Sequence, residues 1–301
     1  MTTSLSRTTV RSGGVDLAVF DGGNRQGPTV VLVHGWPDTH HLWGGVVDLL
    51  ADDFHVVAYD TRGQGESSDP GSVAAFELPR LAEDFFAVAD AVSPDEPVHV
   101  LAHDWGSVQL WEAVCEPVAE QRIASFTSIS GPNLDHLGAW VRRSLTEPTP
   151  QRLGAVLVQG LSSSYVGVFV SPAAPFLLRN LGDLDRWTEF LRRTEGFEPP
   201  PGAIADTLVD DMVNGLRYYR ANVRLRPRRP RERRTSVPVL LLVPTHDRAV
   251  RASSFEETER WVPNLERVDV PYGHWVAMAA PEVVADETTR FIRSLPPRPA
   301  A

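Results

Sequence analysis

Apolar positions along the chain fall in short continuous runs instead of strict alternation with polar ones. Six runs rich in β-branched residues, each bounded by turn residues, cover residues 29–33, 55–59, 98–101, 123–129, 237–243 and 265–270. Strands that are apolar on both faces are typical of a parallel sheet covered by helices on each side. Because helix-length stretches separate the runs, the pattern predicts an α/β fold with its site at the carboxyl edge of the sheet.

The first part and the middle of the chain depart from this rhythm. Residues 5–21 predict a leading antiparallel strand pair, with glycine turns at 13–14 and 22–23. Between about 135 and 235 prolines are frequent and apolar residues recur at helical spacing, as at Leu153, Leu157 and Leu161. We therefore predict a core of residues 1–134 and 236–301, with a helical cap of residues 135–235 inserted after the sixth strand.

Composition narrows the functional classes. The 301 residues are 42% apolar, which is enough for a substantial core. The net charge of −10, from 29 basic and 39 acidic residues, argues against nucleic acid as a partner. All 29 basic residues are arginine, which excludes lysine-dependent Schiff-base, P-loop and pyridoxal chemistry. We expect no metal and no cofactor.

Three further features bear on location and structure. The sequence has no N-terminal apolar leader and no apolar run of about 18 residues, so we expect a cytoplasmic monomer or homodimer without a membrane span. The single cysteine, Cys115, is interpreted as a small buried helix residue. Nine arginines between Arg217 and Arg234 are interpreted as a solvated loop that returns from the insertion, with an anion-binding patch as the alternative.

An abrupt strand-to-helix reversal carries the first chemical signal. The apolar strand in 98–103 ends at Asp104, and a helical pattern begins at once. Such a turn strains the apical backbone and requires small residues two positions away on either side, which Ala102 and Gly106 satisfy. It lifts Asp104 above the sheet edge at a helix N-terminus, where a carboxylate can attack carbon directly. An ordinary helix N-cap is the alternative interpretation of Asp104.

Two residues after later strands complete a catalytic order. Asp247 follows the strand at 237–243, and His274 follows the last strand beside Gly273. Nucleophile, acid and histidine in this order match α/β hydrolases, in which strand ends converge on one site. Asp247 would orient His274 and stabilise its cation, and His274 would activate water.

A glycine turn after the strand at 29–33 supplies the fourth element, His34-Gly35-Trp36-Pro37-Asp38. It can aim a backbone N–H at the nucleophile, so the amides of Trp36 and Trp105 are predicted to form an oxyanion hole. An ordinary tight turn that closes a strand is the alternative, although the glycine-rich segment at 60–67 strengthens the catalytic interpretation.

Together these segments resemble the α/β-hydrolase-fold epoxide hydrolases over nearly the whole core. The motifs are His-Gly-Trp-Pro at 34–37, Asp-x-Arg-Gly-x-Gly-x-Ser at 60–67, His-Asp-Trp-Gly at 103–106, Asp247 and His274. In that family an aromatic residue at position 36 precedes a cis-proline. The segments 95–112 and 122–137 are most similar to a branch that is sometimes fused to a short-chain dehydrogenase. Because this sequence stops at residue 301, we expect it to lack that second domain.

The resemblance implies a reaction. Asp104 would open a small apolar epoxide to form an ester, and water activated by His274 and Asp247 would hydrolyse the ester to a vicinal diol. Trp36 and Trp105 would hold the oxyanion and contact the substrate, and two cap tyrosines would protonate the leaving oxygen. No cofactor is implied.

The tyrosines are where the chain departs from the family. Leu216-Arg217-Tyr218-Tyr219-Arg220 resembles the second tyrosine motif and assigns that role to Tyr219. When the chain is matched to the family pattern at Phe169 and Pro172, Val168 occupies the position expected for the first tyrosine. Tyr165 lies three residues earlier, on the same face if the segment is helical. Tyr165 would therefore take the first role with altered geometry, Tyr219 would act alone, or Tyr165 would be a packed core aromatic.

Two other functions compete with epoxide hydrolysis. A haloalkane dehalogenase would use the same Asp–His–Asp residues, with the Trp105 indole N–H bound to halide. A catalytically weak ligand-binding member of the fold is the alternative outside enzymes. The tyrosine motif disfavours the first, because halide needs donors and not an acid.

Overall fold

The computed structural model describes residues 3–223 and 229–296. Its eight-stranded sheet has the order β1-β2-β4-β3-β5-β6-β7-β8. The strands are β1 Ser6–Ser12, β2 Val15–Gly23, β3 Thr29–Val33, β4 His55–Tyr59, β5 Val98–His103, β6 Ile123–Ile129, β7 Val239–Pro244 and β8 Leu265–Val270. Only β2 pairs antiparallel, with β1 and with β4, and the remaining pairs are parallel. The predicted leading hairpin and mostly parallel sheet are confirmed.

The strand positions agree with the apolar runs, except that β7 starts two residues later and β8 is less buried than the runs imply. β7 begins at Val239 and not at Val237, because Pro238 has no N–H for the ladder, although its carbonyl accepts the amide of Phe126. β8 is an edge strand whose residues alternate between exposed and part-buried positions, unlike the fully buried β3, β4 and β7. An edge strand has a neighbour on one side only, so its side chains remain accessible.

Helices cover both faces of the sheet. They are α1 Gly44–Leu50, α2 Leu78–Val92, α3 Trp105–Ala113, α4 Ala119–Arg122, α5 Leu134–Thr146, α6 Pro150–Ser162, α7 Tyr165–Phe169, α8 Ala174–Leu181, α9 Leu184–Glu195, α10 Leu208–Asn222, α11 Val276–Ala279 and α12 Pro281–Ser294. Residues of α2 and α3, such as Phe85 and Trp111, pack in one buried cluster, and those of α1 and α12, such as Val46 and Val284, pack in another. This explains why the strands are apolar on both faces.

The segment between β6 and β7, here termed the helical insertion (residues 130–238), contains α5 to α10 within its described part. Its last helix, α10, is held tightly by the rest of the molecule. The side-chain amide of Asn222 accepts the Leu78 N–H and donates to the Phe76 carbonyl, and Leu216 and Tyr218 are buried. The insertion is therefore docked on the sheet mainly through α10.

Two expectations from the sequence need correction. Cys115 is half-buried and lies two residues beyond the end of α3, not inside a helix, and burial raises the pKa of its thiol to about 12. In the arginine-rich segment residues 224–228 lie outside the described part, but Arg231 and Arg233 are not simply solvated. Both form ion pairs with the buried Glu112, and Arg231 also pairs with Asp135, because α3 and α5 present buried carboxylates that need partners.

Candidate active site

Asp104 stands alone between β5 and α3 in a strained conformation. Its φ of 50° and ψ of −123° lie where non-glycine residues rarely occur. The flanking positions are small for a visible reason, since a Cβ on Gly106 would overlap the carbonyls of Val33 and His34. The Asp104 side chain makes no capping hydrogen bond to α3, so the N-cap interpretation is wrong.

The Asp104 carboxylate contacts the turn that follows β3. The Trp36 amide donates to its Oδ1 at 2.8 Å, and a Cβ on Gly35 would overlap the same carboxylate. The Trp36–Pro37 peptide is cis, and His34 stabilises the turn by accepting the Thr61 amide at 3.0 Å through Nε2. Gly35 is thus required by the close approach of two backbones. The Trp105 amide nitrogen also lies against Gly35, which brings the two predicted donors to one place.

His274 bridges the two aspartates. Its Nδ1 lies 2.8 Å from Oδ2 of Asp247, and its Nε2 lies 3.6 Å from Oδ2 of Asp104. The other oxygen of Asp247 accepts the amides of Ala249 and Val250 at 2.7 and 2.9 Å, which orients this carboxylate. All three side chains are buried. The structure therefore brings together the three residues that the sequence placed after β5, β7 and β8.

The charges of this cluster favour a cationic His274 and an anionic Asp247. Burial alone would lower the pKa of His274, but Asp247 and Asp104 outweigh it and raise that pKa well above its ordinary value. Burial alone would raise the pKa of Asp247, but His274 and the Val250 amide hold it below its ordinary value. Asp247 therefore stabilises the cationic form that His274 takes when it accepts a proton.

Both candidate tyrosines face the same cavity as Asp104. This cavity of about 520 Å³ is lined mainly by apolar side chains, among them Trp36, Phe169, Leu178, Trp187 and Met212, with Tyr165, Tyr219 and His274. The rings of Tyr165 and Tyr219 lie edge to face with centroids 6.1 Å apart, and burial raises the pKa of both, so they stay protonated at neutral pH. Val168, at the position expected from the alignment, is 49% exposed and does not line the cavity.

The two tryptophans differ in their contribution. The Trp36 indole lines the cavity and donates its N–H to the Met212 carbonyl at 3.0 Å. The residues that line the cavity do not include Trp105, and its predicted contact with substrate stays a prediction. Its ring packs against Tyr219, with ring centroids 4.9 Å apart. The reversal at Asp104 turns the Trp105 side chain away from the cavity into the core.

Sequence reasoning assigned no role to three other groups near His274. Asp38 accepts the Trp275 indole N–H at 3.0 Å, and burial raises the pKa of Asp38 to about 7. His103 Nε2 lies 2.9 Å from the His274 carbonyl, and burial lowers the pKa of His103 to about 4. Both lie inside motifs that the sequence displayed. Glu195 comes from the helical insertion, 79 residues before His274, and no local pattern could have revealed it.

Within residues 3–223 and 229–296, no group of three or more His, Cys, Asp or Glu side chains is arranged to hold a metal ion. In the same ranges no single helix is long and apolar enough to cross a membrane. One bent pair, Pro150–Phe169 with Ala174–Leu181, meets that criterion by length and composition alone.

Comparison with known proteins agrees with this geometry. The family model described as "alpha/beta hydrolase fold" matches residues 28–281. The chain belongs to the α/β-hydrolase family. A relative of this α/β hydrolase named "Probable oxidoreductase EphD", from Mycobacterium tuberculosis and from Mycobacterium bovis, is 43% identical over 292 residues. The match covers 94% of this chain and 49% of the relative, so the chain spans about half the length of those proteins.

Other matches concern proteins named as epoxide hydrolases. "Epoxide hydrolase A" of Mycobacterium tuberculosis is 36% identical over 126 residues, covering 42% of this chain and 38% of that protein. Among solved structures, the epoxide hydrolase of Bacillus megaterium in complex with an inhibitor superposes with a TM-score of 0.80 at 20% identity, covering 95% of this α/β hydrolase and all of that chain. At that identity the likeness shows the fold.

Proposed function

We propose that this α/β hydrolase opens epoxides to vicinal diols through a covalent ester on Asp104. The observation that carries the proposal is the pairing of two kinds of group in one cavity. A carboxylate that can attack carbon faces the same cavity as two neighbouring phenol groups, those of Tyr165 and Tyr219, that can donate a proton. An ester hydrolase of the ordinary serine type needs neither of them.

In the first half-reaction an oxygen of Asp104 forms a bond to one epoxide carbon, and the bond from that carbon to the ring oxygen breaks. The electron pair remains on the ring oxygen as an alkoxide, which takes a proton from Tyr219 or Tyr165. Positioned proton donors of this kind contribute ~10²–10⁴-fold in rate. The Trp36 amide orients the attacking carboxylate through Oδ1.

In the second half-reaction His274 removes a proton from water, and the resulting hydroxide attacks the carbonyl carbon of the Asp104 ester. The Trp36 and Trp105 amides would stabilise the oxyanion, each donor being worth ~2.7–4 kcal/mol. Collapse releases the diol and regenerates the Asp104 carboxylate, and the proton on His274 returns to the tyrosine pair. The sum is epoxide plus water to diol.

The names of the relatives support this chemistry in part. "Epoxide hydrolase A" covers less than half of the chain, and the "Probable oxidoreductase" name belongs to a protein about twice as long. A solved structure at 25% identity and a TM-score of 0.77 comes from a study of novel epoxide hydrolases in metagenomes from hot environments. We propose further that residues 135–235 act as the cap that sets substrate size and regiochemistry, because Tyr165 and Tyr219 come from that segment.

Haloalkane dehalogenation fits the cavity less well. That reaction needs free N–H donors to receive the halide. The Trp36 indole N–H is engaged by the Met212 carbonyl, and the Trp105 indole is packed against Tyr219 outside the cavity lining.

The test is to trap the intermediate. His274→Gln, incubated with a panel of reactive apolar epoxides, is expected to gain the mass of one epoxide on the peptide that contains Asp104, because the ester forms but is not hydrolysed. Asp104→Ala is the matched control and should gain no mass. Wild-type protein is assayed in parallel for diol with epoxides and for halide with haloalkanes. Halide without diol, or His274→Gln without an adduct, would overturn the proposal.

A further inference from the structure

A carboxylate of the helical insertion contacts the loop that carries His274. Glu195 is the last residue of α9, and its Oε2 lies 3.4 Å from the amide nitrogen of Trp275, which donates to it. Glu195 thus binds the backbone N–H of the residue that follows His274, whose imidazole would serve as the base.

The residue before His274 is shaped to admit this contact. A Cβ built on Gly273 would overlap the Glu195 carboxylate, and the nearest atoms to that position all belong to the Glu195 side chain. The φ of Gly273 is not in the left-handed region, so its backbone does not itself require glycine. Glycine at this position is therefore explained by the approach of Glu195.

The surroundings of Glu195 keep it close to the reacting groups. Together with Thr194 it lines both the apolar cavity and a neighbouring, more polar cavity of about 730 Å³. Burial raises the pKa of Glu195, and the nearby His274 acts in the opposite direction. Arg248 lines both cavities as well, while Arg186 lines the first and Arg251 the second.

Other titratable groups also face His274. Asp104 and Asp247 contact its two ring nitrogens, while Asp38 and His103 interact with it electrostatically from the core. All four belong to the sheet edge. Glu195 differs from them because it belongs to the helical insertion and contacts the backbone beside His274.

We propose that Glu195 is a positioning residue for His274, which holds the 273–275 loop through the Trp275 amide and its close contact with Gly273 and adds a third carboxylate near His274. The inference rests on the proposed function, since the role of His274 as base belongs to it. It means that docking of α9 sets part of the proton affinity and orientation of a base that is otherwise built by the core.

The experiment compares Glu195→Gln, Glu195→Ala and Gly273→Ala with a matched control, Glu198→Gln. Glu198 lies three residues away on the same segment and pairs with the exposed Arg192. The pKa of His274 is measured by NMR titration of the imidazole, assigned from its absence in His274→Gln. The pH dependence of kcat and KM for diol formation is measured alongside.

Glu195→Gln should lower the pKa of His274 by ~0.5–1 unit, because a neighbouring opposite charge is lost while an amide-binding oxygen remains. The acid limb of the kcat profile should move to lower pH by the same amount with KM unchanged. Glu195→Ala should additionally lower kcat several-fold, and the glutamine variant should restore most of that loss. Gly273→Ala should act in the same direction but have no further effect in the Glu195→Ala background.

An unchanged His274 titration in all three variants, equal to that of Glu198→Gln, would overturn the inference. So would additive effects of Gly273→Ala and Glu195→Ala. Because the titration needs no turnover, it stands even if the wild-type protein forms no diol, an outcome that would refute the proposed function alone.

Discussion

The sheet edge and the helical insertion build one cavity by different means. Val31, Leu101 and Leu241 at the centre of the sheet are fully buried, and the residues that follow these strands are positioned by backbone hydrogen bonds on both sides. In the insertion, by contrast, Leu157 and Leu161 of α6 are 63% and 66% exposed. We term the sheet edge, with the loops that follow its strands, the frame. The helical insertion covers this frame and is attached to it mainly through α10.

This difference separates two chemical tasks. The frame carries the proposed nucleophile and base, whose geometry must be held closely. The insertion carries Tyr165, Tyr219 and Glu195, which line the same cavity and which we propose act on the leaving oxygen and on the base. Variants in the frame should therefore stop the reaction, whereas variants in the insertion should alter its rate and its selectivity.

The largest effect is expected within the frame. Asp247→Asn should lower kcat for diol formation by ~10⁴-fold, because the amide no longer stabilises the His274 cation or fixes its tautomer. Stopped-flow measurement with a reactive epoxide should show ester formation retained and ester hydrolysis slowed. Loss of both steps to the same extent would instead assign Asp247 a purely structural role.

The same pair predicts how stability depends on pH. The raised pKa of His274 contributes stability that is complete below its ordinary value of ~6.5 and is lost as pH rises through the folded value. The lowered pKa of Asp247 contributes stability that is complete above ~3.9 and is lost as pH falls through the folded value. The free energy of unfolding is measured with urea between pH 4 and 9 for wild type and for Asp247→Asn. The difference in this free energy between the two proteins should be largest between pH ~4 and ~6.5. A difference independent of pH would contradict this linkage.

A smaller effect is expected from the tyrosines of the insertion. Tyr219→Phe and Tyr165→Phe should each slow ester formation by ~10²-fold, because one phenol of the pair remains to donate the proton. The double variant should lose considerably more than either single variant. Pre-steady-state rates of ester formation check this, with the His274→Gln background used to isolate the step. A fully active Tyr165→Phe would reassign Tyr165 to packing.

A rescue experiment sharpens the choice between positions 165 and 168. Val168→Tyr in the Tyr165→Phe background should not restore the rate of ester formation. Val168 faces outward, and a phenol placed on it would lie away from Asp104. Recovery of the rate would show that α7 (Tyr165–Phe169) can rotate within the helical insertion so that residue 168 faces Asp104. Position 168 would then be the one that carries the phenol.

The smallest effect is expected at the contact between the sheet edge and the helical insertion. Trp36→Phe keeps an aromatic ring in the cavity but removes the hydrogen bond to the Met212 carbonyl of α10. The free energy of unfolding should fall by ~0.5–1.5 kcal/mol, the net contribution of one hydrogen bond, because the Met212 carbonyl lies inside α10 and keeps its intrahelical donor. Denaturant unfolding measures this value. No change would mean that α10 is docked without this contact.

The frame could be predicted from the chain because its signals are local. Apolar runs indicated the strands, and Asp104, Asp247 and His274 each followed one of them within a few residues. Gly106 was identifiable from the sequence as a position that must be small, before the structure showed which atoms it faces. In parallel α/β topology the strand ends must meet, so separate local signals imply one site.

The sequence by itself determined the sheet, the position of Asp104 at the strand-to-helix reversal, and the order in which Asp247 and His274 follow it, because each depends on residues adjacent in the chain. Only the tertiary structure decided that Tyr165 and not Val168 faces Asp104, that the Trp105 indole is turned into the core, and that Glu195 contacts the His274 loop. These facts depend on how helices dock across the sheet edge. Docking is set by the summed packing of many side chains distant in sequence, for which no short motif exists.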